Sequence, residues 1–323
     1  MKLVKGLSSS LIPPARGSAL TIGSFDGLHL GHRALVGEIL REAECQGLVS
    51  VVLTFDPHPI QFLQPDQRLR RLFPIEDLFH QAEIMGLDWL VVEAFNQDLA
   101  TMDPEEFWLA KVQPKLNPKV LVVGHDFNFG AGRKGNLDFL DRLAKQQGFE
   151  LRVLPPIRQG GEIVSSSRIR NLVQQGRMAQ IPPLLCRPFA VKGQVSKGQQ
   201  KGRGLGFPTA NIENLETLVP ASGVYITEVL IPSGQSVPAV TNVGVAPTLR
   251  PEDSGLRVET HLLAEGDWSL YNKEITVIFH LRLREEKKFA TVEELKKQIQ
   301  SDVKEALEFW RNQKKKDYGP KSP

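Results

Sequence analysis

Two histidines three residues apart, His29 and His32, lie in the stretch GSFDGLHLGH (Gly23–His32), where a strand gives way to a helix. The apolar run Ala19, Leu20 and Ile22 precedes it, and Leu35, Ile39, Leu40 and Ala43 follow at helical spacing, with Gly47 as the stop. Residues three apart on a helix share a face, so both imidazoles point one way. A helix N-terminus already offers unpaired N–H groups and partial positive charge, and two imidazole donors beside it make a site for polyphosphate oxygens. Gly23 and Gly27 let the backbone approach such oxygens closely, with Phe25 and Asp26 between them. The competing reading leaves both as ordinary surface histidines on a first helical turn.

Further segments carry candidate chemistry. Thr54–Pro59 (TFDPHP) closes the next apolar run, and its two prolines stiffen a turn that holds Asp56 and His58. Either His58 is incidental to a tight turn or it belongs to the site. Gly124–Gly130 (GHDFNFG) brings out Asp126, Phe127, Asn128 and Phe129, on which a planar ring could stack; the alternative tucks both phenylalanines into the core. Ser165–Arg170 (SSSRIR) opens a helix that Ser165, Ser166 or Ser167 can cap. Arg168 in its first turn opposes the helix dipole, which a bound anion would offset. Gly193–Asn211 (GQVSKGQQKGRGLGFPTAN) is glycine-rich and carries Lys197, Lys201 and Arg203 before Pro208. It reads as an arm that folds over phosphates, Gly193 and Gly198 included, or as a flexible hairpin of turn residues. Glu259 in VETHLL is by itself a strand carboxylate, and His261 and His280 read as ordinary strand histidines.

The elements that must position these residues differ between the two halves. Up to about Arg177, Val49–Leu53, Trp89–Phe95, Val120–Gly124 and Leu151–Leu154 read as strands nearly free of polar residues, as in parallel sheets covered on both faces. Helical stretches at Ile75–Met85, Pro104–Lys111 and Leu137–Gln147 alternate with them, and Gly86 and Gly148 stop the first and last. This is an open α/β sheet of Rossmann type, which binds ligands beyond the carboxyl ends of its strands. Beyond Ile181, Pro182 and Pro183 the strands become rich in Val, Thr and Tyr, as at Gly223–Ile231 and Glu274–Leu283, and predict an antiparallel barrel. A final helix spans Thr291 to about Asn312, with a capping box at Thr291 and Glu294 and a stripe of Leu295, Ile299, Val303 and Leu307. The tail KKKDYGPKSP after it has no apolar face to bury and is expected to be disordered. The division expected is 1–181, 182–312 and a basic tail at 313–323.

Composition bounds the partners. Forty Lys plus Arg against 37 Asp plus Glu leave a net charge of +3, too balanced to argue for nucleic acid or a membrane surface. Cys45 and Cys186 are far apart and lack a histidine cluster, so neither a disulfide framework nor a zinc site is indicated. No run approaches the ~18 apolar residues of a membrane span, and the N-terminus lacks a signal-peptide core, so a cytoplasmic location is expected.

The pattern GxFDGxHxGH resembles the HxGH nucleotidyltransferases, and with phenylalanine at position 25 it resembles the N-terminal, FMN-adenylylating module of the bacterial bifunctional FAD synthetases. Residues 193–211, with PTAN intact, resemble the riboflavin kinase signature. The likeness runs from about Ala19 to Trp310. It implies an N-terminal Rossmann-like nucleotidyltransferase domain followed by a riboflavin kinase β-barrel with a terminal helix. It implies that riboflavin is phosphorylated by ATP to FMN, and that FMN attacks the α-phosphorus of a second ATP to give FAD and pyrophosphate. His29, His32 and Arg168 then stabilise the transferring phosphoryl group, His58 and the 124–130 loop lie beside the flavin, Glu259 is the kinase base, Thr209 and Asn211 hold Mg²⁺, and Arg284 of LREEKKF sits on the flavin side. The oligomeric state stays open. Departures from the family pattern are Ser167 for threonine, Ala264 for aspartate and Asn272 for glycine. One rival keeps a single activity, with the adenylylating half degenerate or directed at another substrate, such as a pantetheine or sugar-alcohol phosphate. Another is a flavin-binding regulator, which would need degenerate motifs and a nucleic-acid element; the motifs are intact and no such element is seen in the sequence.

Overall fold

Buried parallel strands need uninterrupted apolar runs, and those of the first half form such a sheet in the computed structural model, which describes residues 1–8, 10–65, 69–196, 207–215, 217–245, 256–264 and 269–317. They fall into two compact units, Met1–Ser166 and Ser167–Pro323. In the first, β1 (Lys2–Lys5), β2 (Ser18–Ile22), β3 (Val49–Asp56), β4 (Trp89–Ala94), β5 (Pro118–Gly124) and β6 (Glu150–Leu154) pair in parallel in the order β1-β4-β3-β2-β5-β6. The chain steps outward from β2 through β3 to β4, then returns to place β5 on the other side of β2. That reversal is the topological switch point, where parallel sheets bind ligands at their carboxyl ends. β1 was not expected. It is an edge strand with a lysine at each end and only Val4 buried, so it carries no apolar run.

The helices fit their stop signals. Helix α1 (Leu30–Gln46) ends at Gly47 with φ 65°; it buries Val36, Ile39 and Ala43, with Leu35 and Leu40 at the margin. Helix α2 (Pro59–Leu63) is a single turn, α3 (Ile75–Ile84) is followed by Gly86, and α4 (Leu137–Gln147) is closed by Gly148. The helix expected over Pro104–Lys111 widens to π geometry at Phe107–Val112, and Phe107, Trp108 and Val112 are all buried. A two-residue hairpin, β7 (Arg158–Gln159) with β8 (Glu162–Ile163), precedes α5 (Ser166–Gln174).

In the second unit β9 (Phe189–Ser196), β10 (Ala210–Glu213), β11 (Gly223–Leu230), β12 (Ser236–Val245), β13 (Leu256–Leu262) and β14 (Glu274–Arg284) close an antiparallel barrel in the order β10-β13-β12-β11-β14-β9. Its buried residues include Phe189, Tyr225 and Phe279, and the hydroxyls of Thr227, Thr241 and Thr260 form a buried chain at 2.7 and 2.8 Å. Burial pushes the Tyr225 phenol up to about 12. Helix α6 (Val292–Asp317) starts where Thr291 Oγ1 accepts the Glu294 N–H; the Glu294 carboxylate reaches back to the Ala290 N–H rather than to Thr291.

Two expectations about this helix need correction. It runs on to Asp317, past Asn312, because Gln313 to Lys316 are good helix formers; residues 318–323 lie outside the described set. Its buried stripe turns from Val303 to Ala306 and Trp310, leaving Leu307 more exposed. A spacing of four drifts off a helix face of about 3.6 residues per turn, whereas 295, 299, 303, 306 and 310 stay on it.

Candidate active sites

At the carboxyl end of β2 the chain turns through Gly23–His29 into α1. Phe25 and Leu28 have φ of 46° and 43°, left-handed angles costly for side-chain-bearing residues, and both side chains are buried, which anchors the strained turn. His29, 6% exposed, is the N-cap of α1: its Nδ1 accepts the His32 N–H at 3.3 Å, which leaves the ring proton on Nε2. The two imidazoles stack at 3.7 Å with 14° between their planes. A Cβ on Gly31 would stand 3.1 Å from His29 Cε1, so the glycine between the histidines is what allows the stack.

Phe25 and Asp26 both serve the frame. The Phe25 ring is in the core, 5.1 Å from His32. The Asp26 carboxylate, 4% exposed, accepts the Leu72 N–H at 2.9 and 3.1 Å, while its carbonyl accepts the Ser166 hydroxyl at 2.9 Å. Asp26 therefore ties three segments together. His58 is buried and caps α2, its Nδ1 accepting the Ile60 N–H at 3.2 Å, so the turn reading accounts for its position. Beside it Arg71 donates to Asp56 at 2.8 Å and to the Phe55 carbonyl at 2.9 Å, a cation at the sheet's carboxyl edge that the sequence did not reveal. In the 124–130 loop Asp126 is exposed, Asn128 donates to the Asp126 carbonyl at 2.7 Å and accepts from Arg133, and Phe127 packs half-buried against Phe129. Ser165 lies in the first unit; Ser167 and Arg168 are in the first turn of α5, in the second.

Residues directly opposed across antiparallel strands share a face. The barrel register pairs Asn211 with Glu259, Glu259 with Asn242, Asn242 with Val224, and Val224 with Arg284. This row runs along the face that α6 covers, and a cavity of about 360 Å³ opens on it. Thr209, Glu259, His261 and Arg284 line the cavity, and Val224, Val240, Leu295 and Ile299 supply an apolar wall. Glu259 is half-buried, with Arg257 Nη1 3.4 Å from its carboxylate. His261 is not an ordinary strand histidine: its Nδ1 donates to the Pro208 carbonyl at 2.8 Å and so fixes the PTAN turn. Its position two residues beyond Glu259, hence on the same face, was the available signal. His280 does read as a strand histidine, and its imidazole, 3.5 Å from Glu228, holds that carboxyl below the usual range.

Gly193 has a packing role. It is buried in β9, where a Cβ would stand 2.6 Å from Ile212 Cγ2 and 2.7 Å from the Glu213 carbonyl. Lys197, Gly198 and Arg203 lie outside the described residues. Asn272 holds φ 60°, an angle that asparagine tolerates better than most other side chains.

The FAD synthetase family model matches residues 12–168, and the riboflavin kinase model matches 185–310. A bifunctional riboflavin kinase/FMN adenylyltransferase of Escherichia coli (strain K12) is 34% identical over 312 residues, 96% of this chain and 98% of that protein. The chain belongs to this bifunctional family. It is an enzyme that phosphorylates riboflavin to FMN and adenylylates FMN to FAD, with ATP as co-substrate of both reactions. The Pseudomonas fluorescens enzyme of the same name is 40% identical, covering 94% of this chain and 96% of its own length. A solved structure described as a macrolide-efflux protein from Streptococcus pneumoniae is also similar, with a TM-score of 0.82 at 28% identity, covering 94% of this chain and 97% of that one. Among the described residues no helix is long and apolar enough to cross a membrane.

Proposed function

We propose that adenylylation occurs at the stacked histidines and phosphorylation at the cavity beneath α6, and that residues 1–181 and 182–312 are the corresponding modules. The observation that carries this division is the register row joining Glu259, Asn242, Val224 and Arg284, all of which line one roomy cavity, separate in sequence from the helix N-terminus that holds His29 and His32. At the first site the FMN phosphate oxygen attacks the α-phosphorus of ATP and pyrophosphate leaves. His29, His32 and the N–H groups of the first turn of α1 bind the α-phosphoryl oxygens, and the resemblance assigns the leaving phosphates to Ser165–Ser167 and Arg168. His58 and the loop of Asp126, Phe127 and Asn128 border the flavin. At the second site Glu259 takes the proton from the riboflavin 5′-hydroxyl as that oxygen attacks the γ-phosphorus of ATP and ADP leaves. Lys197, Gly198 and Arg203 would cover the nucleotide.

Mg²⁺ suits the donor set at this second site. Thr209 and Asn211 offer oxygen ligands, the type a hard cation takes, and Asn211, 8% exposed, shares the Glu259 face. When bound it would neutralise charge on the ATP phosphates. The cytoplasm is the proposed location, in keeping with two unpaired, exposed cysteines.

Incubating the protein with riboflavin, ATP and Mg²⁺ and separating the flavins over time tests the order of events. FMN that rises and then converts to FAD is expected; FAD without transient FMN, under conditions that release it, would contradict the scheme. Gly31→Ala gives a more local check. Its new methyl displaces the His29 ring by a few tenths of an ångström, and small misplacements of a catalytic group are costly. FAD formation from supplied FMN should fall about tenfold, with FMN formation from riboflavin as the internal reference.

A further inference from the structure

In the cavity wall Arg284 of β14 meets Asp302 of α6 side-on. Nε stands 3.0 and 3.2 Å from the two carboxylate oxygens, and Nη2 stands 2.7 Å from Oδ2. The side chains are 14% and 6% exposed. Gln298 Nε2 donates to Asp302 Oδ1 at 2.9 Å, Arg284 Nη1 donates to the Glu285 carbonyl at 3.0 Å, and the Phe289 ring centre is 5.9 Å from the guanidinium carbon. Asp302 is thus held from its own helix while it holds Arg284.

A guanidinium has five N–H donors. These contacts engage Nε and one hydrogen on each terminal nitrogen, so each terminal nitrogen keeps one donor without a partner among the described residues. Asp302 also cancels the charge. The cavity that both residues line therefore presents fixed donors on a neutral pair, beside apolar Val224, Val240, Leu295 and Ile299. Phosphates are best matched by uncompensated cations, whereas uncharged ring carbonyl oxygens are satisfied by donors without net charge. We infer that Asp302 is a positioning residue: it fixes and neutralises Arg284 so that this wall of the cavity takes the uncharged, carbonyl-bearing ring of riboflavin and not the phosphates of ATP. This rests on the cavity being the riboflavin site.

The test is equilibrium riboflavin binding to the full chain without ATP, followed by quenching of flavin fluorescence. Asp302→Asn should weaken binding about tenfold or more, the effect of losing hydrogen bonds from an oriented charged donor. Exchange of a buried ion pair for apolar residues is often neutral for stability, so the double variant Arg284→Met/Asp302→Leu should melt like the parent and still bind weakly. Binding by Asp302→Asn within about threefold of the parent would overturn the inference, as would tight binding by the double variant, which would make the pair merely structural. Ile299→Trp fills the cavity and separates the two claims. If it leaves riboflavin binding intact, the cavity is not the flavin site; if it blocks binding while Asp302→Asn binds normally, only the role of Asp302 falls.

Discussion

Glu259→Gln should stop FMN formation while FAD formation from supplied FMN continues. Glutamine keeps the shape of the side chain and its place opposite Asn211 and Asn242, but it cannot take a proton at neutral pH. A positioned general base contributes about 10²–10⁴ in rate, so riboflavin phosphorylation should drop by that factor. The variant loses its attraction to Arg257 at 3.4 Å, a half-exposed pair whose loss changes stability little. Measuring both reactions on one preparation decides the matter. Equal loss of both would indicate general damage, and full retention of riboflavin phosphorylation would remove Glu259 from the mechanism.

The reciprocal experiment acts on His29. Replacing it with alanine should cost adenylylation about 2–4 kcal/mol of transition-state stabilisation, the worth of one preorganised donor. His29 also caps α1, and losing a cap costs about 1 kcal/mol of stability, so alanine mixes two effects. Asparagine separates them. It restores a good capping acceptor without the imidazole, so His29→Asn should melt near the parent and remain as inactive as His29→Ala in forming FAD from FMN. Recovery of activity in the asparagine variant would show that capping, and not chemistry, is what His29 supplies.

What the sequence revealed was local. The histidine pair, the helix stops at Gly47 and Gly148 and the apolar strand runs depend on neighbours within a few positions, and each appears where its spacing placed it. Partners that lie far along the chain were not legible. Asp26 binds the amide of Leu72 46 positions away, His261 reaches Pro208 across 53, and Arg284 finds Asp302 18 residues on in another element. No spacing rule anticipates such contacts, since strand register and helix docking create them. The packing role of Gly193 was hidden for a related reason: a glycine that admits a neighbouring strand looks the same in sequence as one that admits a phosphate. Edge strand β1 escaped notice because two of its four residues are lysines.

The buried hydroxyl chain has an evolutionary consequence. Each threonine owns a single hydroxyl proton; since Thr241 spends its own on Thr260, Thr227 must donate to Thr241, and the chain has one polarity. Exchanging one member for valine orphans its neighbours inside the barrel, whereas exchanging all three for apolar residues removes every unmet partner at once. Selection should therefore treat positions 227, 241 and 260 as one inherited unit, fixed together or replaced together as lineages diverge.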